Sequence, residues 1–397
     1  MKILSITTLY PNTEQPTFGV FVENRLRKLA AVGDVELRVV APVPWFPSKK
    51  RHFGRYGRYA RIARRERRHE IEVSHPRFLQ IPKIGTHLSA FFLYLSLLKH
   101  VRSEIIPVHD FDLIDAHVYY PDGVAATMLA KRLNKPVVVT ARGTDLNLYP
   151  KRFPLIGRMI AKTAEEVSAS ITVCSALKEA LTDLGADPED VHVLRNGVDL
   201  TVFSPGDRDA LRATLGLTRP TLLSVGHLIE RKGHDLVIRA LTRLRDVDLI
   251  IAGDGPQRRR LEQLTLSLDL KDRVQFLGVV EHQALADLYS AVDLLVLASS
   301  REGWPNVLLE ALACGTPVVA TRNWGTPEIV SAPEAGCLVD QRTPDAIAEA
   351  VADMLAAMPD RAKTRTFAEG FSWDATTEGQ VQLFASLLGD RSKRRAA

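Results

Sequence analysis

Short apolar runs alternate with longer amphipathic stretches along nearly the whole chain. The runs are rich in Val, Ile and Leu and lack polar alternation, which is typical of strands buried on both faces of a parallel sheet. In the first half they predict strands at Lys2–Thr8, Glu36–Ala41, Ile71–Ser74, Leu113–Ala116, Pro136–Thr140, Ile171–Cys174 and His192–Leu194. In the second half they predict strands at Thr221–Val225, Asp248–Ala252, Val274–Leu277, Leu294–Ala298, Pro317–Ala320 and Cys337–Val339. Helical patterns separate them, so the pattern predicts an α/β protein with parallel sheets.

The chain has 397 residues, a length that fits two such α/β domains in series. Proline and glycine interrupt the pattern at Phe203–Asp207, which predicts a domain boundary there. The expected division is an N-terminal domain at 1–203, a second domain at 204–370 and a C-terminal segment at 371–397. That last segment contains an amphipathic helix and a basic tail, and we expect the helix to pack back on the first domain.

Charge is distributed unevenly. The net charge is +5, but residues 49–68 contain ten basic side chains and one acid, Glu66. The rest of the chain has 42 basic and 46 acidic residues, a net charge of −4. A local block of this kind indicates an anionic partner, either nucleic acid or an anionic membrane surface.

Cysteine usage and hydropathy restrict the class of protein further. Three scattered cysteines, Cys174, Cys314 and Cys337, form no zinc motif and fit a reducing cytoplasm. The most apolar stretch, Leu88–Leu98, has about half of the ~20 residues that a membrane-spanning helix needs. The N-terminal run predicts a first strand rather than a signal peptide. We therefore expect a soluble or peripheral protein.

Ligands of open parallel sheets bind beyond the carboxyl ends of the strands, so the segments that follow each strand are the candidate sites. Ser299–Glu310 follows one predicted strand and opens a helix near Pro305, where free backbone N–H groups favour anionic or hydroxyl ligands. It contains Glu302 and Glu310, whose carboxylates can accept hydrogen bonds from sugar hydroxyls. Taken alone, each glutamate is read more simply as a helix-terminal or solvated acid.

Three further strand ends carry candidate chemistry. The loop that begins at Gly226 contains Arg231 and Lys232, which together suit a diphosphate, although Arg-Lys pairs are more commonly found in ordinary charged loops. His117 ends a strand, where a functional role and a structural one are about equally expected. Gly19 lies between the first strand and the first helix, where a glycine lets a phosphate approach.

Two Asp-x-Asp triplets, Asp110–Asp112 and Asp246–Asp248, resemble metal-binding pairs. Both precede a strand and therefore lie on the edge of the sheet opposite to the ligand edge. We interpret them as turn and strand-start residues, and predict that the protein needs no metal.

Taken together, these segments resemble the retaining GT-B glycosyltransferases of family 4, over essentially the whole chain. The most specific element is the Glu-x7-Glu pattern of Glu302 and Glu310. Supporting elements are Val225–Gly233, Ala252–Pro256, Asn196–Asp199, Gly315–Ala320 and Phe371–Trp373. The subgroup that it resembles most is associated with cell-surface polysaccharides such as teichuronic acid.

The resemblance implies two Rossmann-like domains that face a cleft, with a C-terminal helix that crosses back. It also implies a role for each matching residue. Glu302 and His117 would contact the donor sugar, Glu310 the ribose, and Arg231 and Lys232 the diphosphate, so that His117, Glu302, Arg231 and Lys232 form the catalytic set. The donor-binding set would be Gly19, Gly226, Gly303, Trp304, Pro305, Asn306, Val307 and Glu310.

The chain departs from the family pattern at two places. Phe18 stands where the family often has a second glycine beside Gly19, which weakens a phosphate contact from that loop. Arg142 replaces a histidine in the segment Ala141–Asp145, which indicates an anionic acceptor and places Arg142 and Asp145 on the acceptor side.

The implied function is a retaining hexosyltransferase with a nucleotide-sugar donor, no cofactor and a lipid-linked or other glycan acceptor. It would act at the inner face of the plasma membrane in cell-envelope or exopolysaccharide synthesis. Two alternatives stay open at this point: a nucleotide-sugar epimerase of similar architecture, and a nucleic-acid-binding protein that uses residues 49–68. The Glu302/Glu310 spacing argues against the first, and the absence of a recognisable nucleic-acid module argues against the second.

Overall fold

A computed structural model of the protein describes residues 1–81 and 85–396, without the side chains of residue 283 and of residues from 390 onwards. The described chain divides into two compact units, residues 1–195 with 374–397, and residues 196–373. The basic tail predicted at the C-terminus therefore lies outside the described side chains. Each unit has a sheet of mainly parallel strands between helices, which is the α/β class that the apolar pattern predicts.

The first unit is built on an eight-stranded sheet in the order β10-β9-β8-β7-β1-β2-β5-β4. Only β4 runs antiparallel, against β5. The short strands β3 and β6 form a separate parallel pair. The strands are β1 Lys2–Ile6, β2 Glu36–Val40, β3 Val43–Pro44, β4 Arg65–Arg68, β5 Ile71–Ser74, β6 Arg77–Phe78, β7 Leu113–His117, β8 Val137–Ala141, β9 Ala169–Thr172 and β10 Val191–Val193.

Helices cover this sheet and connect its strands. They are α1 Val20–Ala30, α2 Gly54–Arg61, α3 Ser89–His100, α4 Val124–Leu133, α5 Thr144–Asn147, α6 Tyr149–Arg152, α7 Pro154–Glu166 and α8 Ser175–Thr182. Short 3-10 and π turns lie at Arg51–Phe53, Gly85–Leu88, Val101–Ile105, Tyr119–Gly123 and Pro188–Asp190. Buried apolar side chains of α1, such as Val22 and Leu26, pack against the sheet residues Ile3 and Val39 in one core.

The second unit contains six parallel strands in the order β13-β12-β11-β14-β15-β16. The strands are β11 Thr221–Val225, β12 Asp248–Ala252, β13 Val274–Gly278, β14 Leu294–Leu297, β15 Val318–Thr321 and β16 Gly336–Val339. Its helices are α9 Arg208–Leu215, α10 His234–Ala240, α11 Arg258–Ser267, α12 His282–Ala291, α13 Asn306–Ala313, α14 Thr326–Ile329, α15 Pro344–Ala356 and α16 Arg361–Glu369, with 3-10 turns at Glu230–Lys232 and Leu241–Arg243. This strand order is that of doubly wound nucleotide-binding sheets.

The final helix, α17 Trp373–Ala396, belongs to the first unit from Asp374 onwards. Leu383 and Phe384 are buried in the core of that unit. Arg25 of α1, itself almost fully buried, donates from Nε to Oε1 of Gln380 at 2.9 Å. The packing of the last helix on the first domain therefore agrees with the expectation from sequence.

The division between the units differs from the predicted boundary at 203/204. Residues 196–203 pack with the second unit, because the Phe203 ring contacts His282 at 4.8 Å and Arg365 donates to the Phe203 carbonyl at 2.7 Å. The boundary at Arg195/Asn196 thus precedes the Pro-Gly segment on which the prediction rested.

The basic block is regular structure rather than loop over much of its length. It contains α2 and the edge strand β4, and the pattern of apolar runs did not predict β4 because Arg65–Arg68 has no apolar residue. Such a charged edge strand discourages pairing with another sheet. Leu88–Leu98 forms most of α3 and its preceding turn, with Leu93 and Leu97 buried and Leu88, Phe91 and Leu95 exposed.

Candidate functional site

In each sheet the direction of strand addition reverses at one place, and ligands of doubly wound sheets bind at that reversal. In the second unit it lies between β11 and β14, which are neighbours in the sheet. The segments that follow these two strands are 226–233 and 298–305. They contain Arg231, Lys232 and Glu302, so the topology brings the residues singled out in the sequence to one position.

Glu302 lies between two cations. Its Oε1 accepts a hydrogen bond from Nζ of Lys232 at 2.7 Å, and its Oε2 from Nη1 of Arg231 at 3.2 Å. Burial favours the neutral carboxyl, but Lys232 and Arg231 outweigh it, so the pKa of Glu302 lies below its ordinary value. The cluster is therefore an ionised carboxylate with two cations at the carboxyl edge of the sheet.

The two loops are fixed against each other by hydrogen bonds to backbone carbonyl groups. The Ser300 N–H donates to the Arg231 carbonyl at 2.8 Å, and Arg231 donates to the Arg301 carbonyl at 2.8 Å. Gly233 has a left-handed φ of +70°, and a Cβ there would meet the Ala298 carbonyl oxygen at 2.2 Å. Only glycine permits this approach, which holds the cation-bearing loop beside the loop of Glu302.

Gly226 has a related role. Its φ of +146° favours glycine, and the methylene groups of Lys232 lie over it, 3.4 Å from where a Cβ would stand. A side chain here would strain the backbone, whereas the Lys232 stem would stay at an ordinary contact distance. Gly226 therefore matters for the backbone conformation of the loop that carries Lys232.

Trp304, Pro305 and Asn306 form the entry to α13. Trp304 is buried and donates from Nε1 to the Asn196 carbonyl at 2.9 Å. Oδ1 of Asn306 accepts from Nδ2 of Asn196 at 3.3 Å. Gly303 lies in the same turn. Val307 lies in the first turn of α13, where the backbone N–H groups have no partner within the helix. Trp304 and Asn306 thus anchor the segment that starts at Asn196, while their donor contact stays a prediction.

Glu310 has different partners. Tyr289 donates to its Oε2 at 2.9 Å, and His282 lies at 3.5 Å from Oε1. Both residues are on α12, and the hydrogen bond to Glu310 raises the pKa of His282. Sequence patterns did not identify Tyr289 or His282, because their proximity depends on how α12 packs beside α13. The structure therefore places the two glutamates of the motif in separate polar environments.

In the first unit the strand order reverses between β1 and β7. His117 ends β7 and is fully buried. Its Nδ1 lies 2.7 Å from Nη2 of Arg142 and its Nε2 3.2 Å from Oδ2 of Asp115. An arginine has no acceptor, so Nδ1 accepts and the ring proton is on Nε2, facing Asp115. Nδ1 of His117 is therefore hydrogen-bonded to Arg142, whereas Nε2 has Asp115 as a close charged neighbour but makes no hydrogen bond in the described structure.

A buried polar network continues from this histidine. Oδ2 of Asp115 also accepts from Nε2 of Gln380 at 3.2 Å, and Gln380 accepts from Arg25. Burial and Arg25 lower the pKa of Arg142 to about 9. Burial lowers the pKa of His117. The Asp115 carboxylate raises this pKa and the Arg142 guanidinium lowers it, and the net result is a lowered pKa. The network favours a neutral His117 held in one orientation.

Asp145 binds backbone. It accepts from the N–H groups of Tyr119 at 2.9 Å and Gly143 at 2.7 Å, and also from that of Arg142. These bonds tie the loop after β7 to the loop after β8. The role of Asp145 in the structure is to hold Arg142 and its neighbours, and its place on the acceptor side stays a prediction.

Gly19 is the N-cap of α1, with a φ of 73°. A Cβ there would lie 2.6 Å from the Leu9 backbone, so a side chain would displace the loop that follows β1. In that same loop the Thr8 N–H donates to the buried carboxyl group of Asp122 at 2.6 Å. Sequence analysis did not select Asp122, although it follows a strand end.

The Asp-x-Asp triplets are turn and strand-start residues. Asp112 accepts from the Lys2 N–H at 2.8 Å, Asp110 pairs with Lys135 at 3.0 Å, and Asp248 begins β12. Both triplets precede the strands β7 and β12, which is the amino edge of each sheet.

Two doubly wound sheets, with a carboxylate between two cations at the carboxyl edge of the second, agree with the GT-B glycosyltransferases that the sequence resembles. Models of two known families match the chain: "Glycosyltransferase Family 4" over residues 20–202 and "Glycosyl transferases group 1" over residues 207–370. The chain belongs to this glycosyltransferase family, of the GT-B and family 4 type, and is a transferase.

Relatives and solved structures agree with this assignment. The chain is 33% identical to a D-inositol 3-phosphate glycosyltransferase of Xylanimonas cellulosilytica, over 72% of this chain and 74% of that protein. It is 29% identical to the putative teichuronic acid biosynthesis glycosyltransferase TuaC of Bacillus subtilis, over 88% of both.

Two solved structures share the fold. Sucrose-phosphate synthase from Thermosynechococcus elongatus has a TM-score of 0.80 at 21% identity, with 98% of this chain and 100% of that chain covered. HepE of Anabaena, solved with UDP-glucose, has a TM-score of 0.75 at 22% identity, with 97% and 100% covered.

Proposed function

We propose that this enzyme is a retaining hexosyltransferase that uses a nucleotide-diphosphate sugar and a lipid-linked glycan acceptor in cell-envelope or exopolysaccharide synthesis. The observation that carries the proposal is the Glu302–Arg231–Lys232 cluster at the carboxyl edge of the second sheet. The similarity to TuaC supports the acceptor class, and the UDP-glucose bound to HepE supports the donor class.

The chemistry of the leaving group explains why this cluster suits the reaction. Negative charge grows on the diphosphate oxygens as the glycosidic bond breaks, and fixed cations near that charge lower the barrier. Arg231 and Lys232 are two such cations, and the first N–H groups of α13 add a partial positive charge. When a diphosphate attracts the cations, the Glu302 carboxylate becomes available to accept hydrogen bonds from the donor sugar.

Two substitutions test this assignment. Glu302→Gln and Lys232→Ala should each lower the rate of sugar transfer by about 10²–10³-fold, the usual effect of removing one preorganised electrostatic contact. The exposed Glu349→Gln and Lys271→Ala are matched controls and should transfer normally. Unchanged circular dichroism shows that the variants fold, and near-normal turnover in Glu302→Gln and Lys232→Ala would rule out the site.

Donor identity and stereochemistry have direct measurements. Mass spectrometry of the nucleotide-sugar that the pure enzyme retains or hydrolyses identifies the donor. NMR of the transfer product should show the anomeric configuration of the donor, and an inverted product would contradict the retaining mechanism.

Metal independence is part of the proposal, because both Asp-x-Asp triplets precede strands, and in the first triplet Asp112 accepts from the Lys2 N–H and Asp110 pairs with Lys135. Arg231 and Lys232 supply the positive charge that a metal supplies in other transferases. We expect full activity in excess EDTA. Loss of activity that Mn²⁺ or Mg²⁺ restores would contradict this.

We further propose that residues 49–68 and the exposed face of α3 hold the enzyme at the inner face of the plasma membrane. In the described chain no helix is long and apolar enough to cross a bilayer. Four basic residues of the block are ion-paired: Arg61 with Glu14, Arg65 with Glu104, Arg67 with Glu70 and Arg68 with Glu23. The cations without a carboxylate partner in the described structure are Lys49, Lys50, Arg51, Arg55, Arg58 and Arg64.

The membrane surface would consist of those unpaired cations and nearby exposed apolar side chains. Trp45, Phe53 and Phe91 are 51%, 41% and 47% exposed. Each basic residue near an anionic bilayer contributes about 1 kcal/mol, so several together hold a folded protein there. The proposal places the enzyme in the cytoplasm as a peripheral membrane protein and expects no nucleic-acid partner.

Vesicle co-sedimentation tests membrane association. Binding should require anionic lipid and weaken with salt. It should fall when Lys49, Lys50, Arg55 and Arg58 become serine. The matched control is the replacement of the ion-paired Arg65, Arg67 and Arg68 by serine. This replacement should weaken vesicle binding less. Equal binding to neutral vesicles, or binding to neither, would refute docking on an anionic surface.

A further inference from the structure

A cavity of about 600 Å³ lies in the first unit, at the end of β5 rather than at the strand ends described above. Residues that follow β5 line one side of it, and α3 with the turn after it lines the other. Its lining is unusually basic. It contains Arg64, Arg65, His75, Arg77, Lys99 and His100, with one acid, Glu104.

Ion pairing leaves three of these cations uncompensated. Glu104 pairs with Arg65 at 2.5 Å and with His100 at 3.2 Å. Arg64, Arg77 and Lys99 have no carboxylate partner in the part of the chain that the structure describes. Arg77 is half-buried, and burial together with the nearby Arg64 lowers its pKa. Uncompensated cations around one open cavity suit a ligand with two or more negative charges.

The helix that lines the cavity also carries an exposed apolar stripe. Leu88, Phe91 and Leu95 are 50%, 47% and 45% exposed. Together with Lys99 they occupy positions i, i+3, i+7 and i+11, which is one helix face. A ligand with its anionic group at Lys99 and an apolar chain along this face would match both features. A free phosphate or a nucleic acid would use only the cations.

The cavity is also well placed relative to the first sheet. It opens where β5 ends, at the same carboxyl edge as Gly19 and His117. β5 is the second strand from β1, and strands are about 4.8 Å apart, so the two strand ends lie about 10 Å from each other. An extended glycan on the sheet edge would bridge that distance between its anionic anchor and its reacting end.

We propose that this cavity binds the phosphate or diphosphate of an isoprenoid-linked acceptor, with the lipid chain along Leu88, Phe91 and Leu95. The inference rests on the proposed function, because it assigns a site to the lipid-linked acceptor. Arg64, Arg77 and Lys99 are the residues that contact the phosphate oxygens. Arg142 and the strand-end residues stay with the sugar portion.

Calorimetric titration with geranylgeranyl diphosphate, a single-chain isoprenoid diphosphate, tests the site in the full chain. Arg64→Gln and Lys99→Gln should each raise its Kd about tenfold, the size of one charge-assisted hydrogen bond. Arg102→Gln, an exposed arginine three residues after Lys99 that does not line the cavity, should leave the Kd unchanged. Geranylgeraniol should bind far more weakly, and inorganic diphosphate should compete.

Arg77 donates to backbone carbonyls of Ile62 and His75, so Arg77→Gln can disturb the fold. The test therefore uses the variants of the exposed Arg64 and Lys99. Equal Kd values in wild type, Arg64→Gln and Lys99→Gln would overturn the inference, as would equal binding of geranylgeraniol. Variants that lose binding to phosphatidylglycerol vesicles but not to geranylgeranyl diphosphate would assign these cations to lipid headgroups and also overturn it.

Donor hydrolysis without acceptor separates the two proposals. The Arg64 and Lys99 variants should hydrolyse the nucleotide-sugar like the wild type. A wild-type protein that neither binds nor consumes any nucleotide-sugar would refute the proposed function, whatever the diphosphate titration shows. If donor hydrolysis is normal and the Kd for geranylgeranyl diphosphate is the same in the wild type and the variants, only the proposal for the cavity is refuted.

Discussion

Asp122 is a fully buried carboxyl group in the first unit. Its Oδ2 accepts from the N–H and the hydroxyl of Thr8, and its Oδ1 has no hydrogen-bond partner in the described structure. Burial raises its pKa to about 7. The folded protein therefore holds a proton that the unfolded chain, with a carboxyl pKa of about 3.9, releases. This contribution to stability is complete below about pH 4 and is lost as pH rises towards 7, at about 1.4 kcal/mol per pH unit.

Asp122→Asn should therefore flatten the pH dependence of the free energy of unfolding between pH 5 and pH 7, measured by urea denaturation. The exposed Asp34→Asn is the control and should keep the wild-type slope. An unchanged slope in Asp122→Asn would show that another group is responsible.

Among the elements, α17 shows how a helix distant in sequence completes a core. Phe384 is fully buried with residues of α1 and the first sheet. Phe384→Ala should lower the free energy of unfolding of the first unit by about 3–5 kcal/mol, the usual cost of removing a buried aromatic side chain. The exposed Gln382→Ala on the same helix should change it by less than about 0.5 kcal/mol. Comparable losses in both variants would show that helix propensity, not packing, decides the effect.

At the scale of the whole molecule, each unit has a separate apolar core. In the proposed donor site, a nucleoside diphosphate at Arg231 and Lys232 would contact the loops of residues 226–233 and 298–305. At one hundred times its Kd it should stabilise the folded state by about 2.7 kcal/mol. Hydrogen exchange should slow most in those loops and in β11 and β14, and slowing confined to residues 1–195 would contradict the assigned donor site.

The sequence predicted the strands well where apolar residues alone decide them. Thr221–Val225 and Asp248–Ala252 match β11 and β12 because both faces of a central parallel strand are buried. β4 was missed because a charged edge strand has no apolar signature. The two compact units divide before the Pro-Gly segment, because Phe203 contacts His282 through side-chain packing that proline and glycine do not report.

For the candidate site as well, the sequence predicted what the sheet topology decides and missed what side-chain packing decides. Strand-end position was enough to select Glu302, Arg231 and Lys232, since the sheet topology alone brings their loops together. Partners that come from helix packing, such as Tyr289 at Glu310, have no signal in the sequence. Asp122 was overlooked because its unusual pKa arises from burial, which depends on the completed fold.

The first unit is discontinuous along the chain, since residues 374–397 belong to it while 196–373 form the other. On the ribosome, the segment up to Arg195 emerges first but has no Phe384 to close its core, and Gln380 is not yet present for Arg25. The second unit is complete as soon as residue 373 leaves the exit tunnel. A premature stop codon just before α17 would therefore leave the first unit, which is translated first, with an incomplete core. The second unit, which is translated later, would be complete. A truncation usually affects the part of a protein that is translated last.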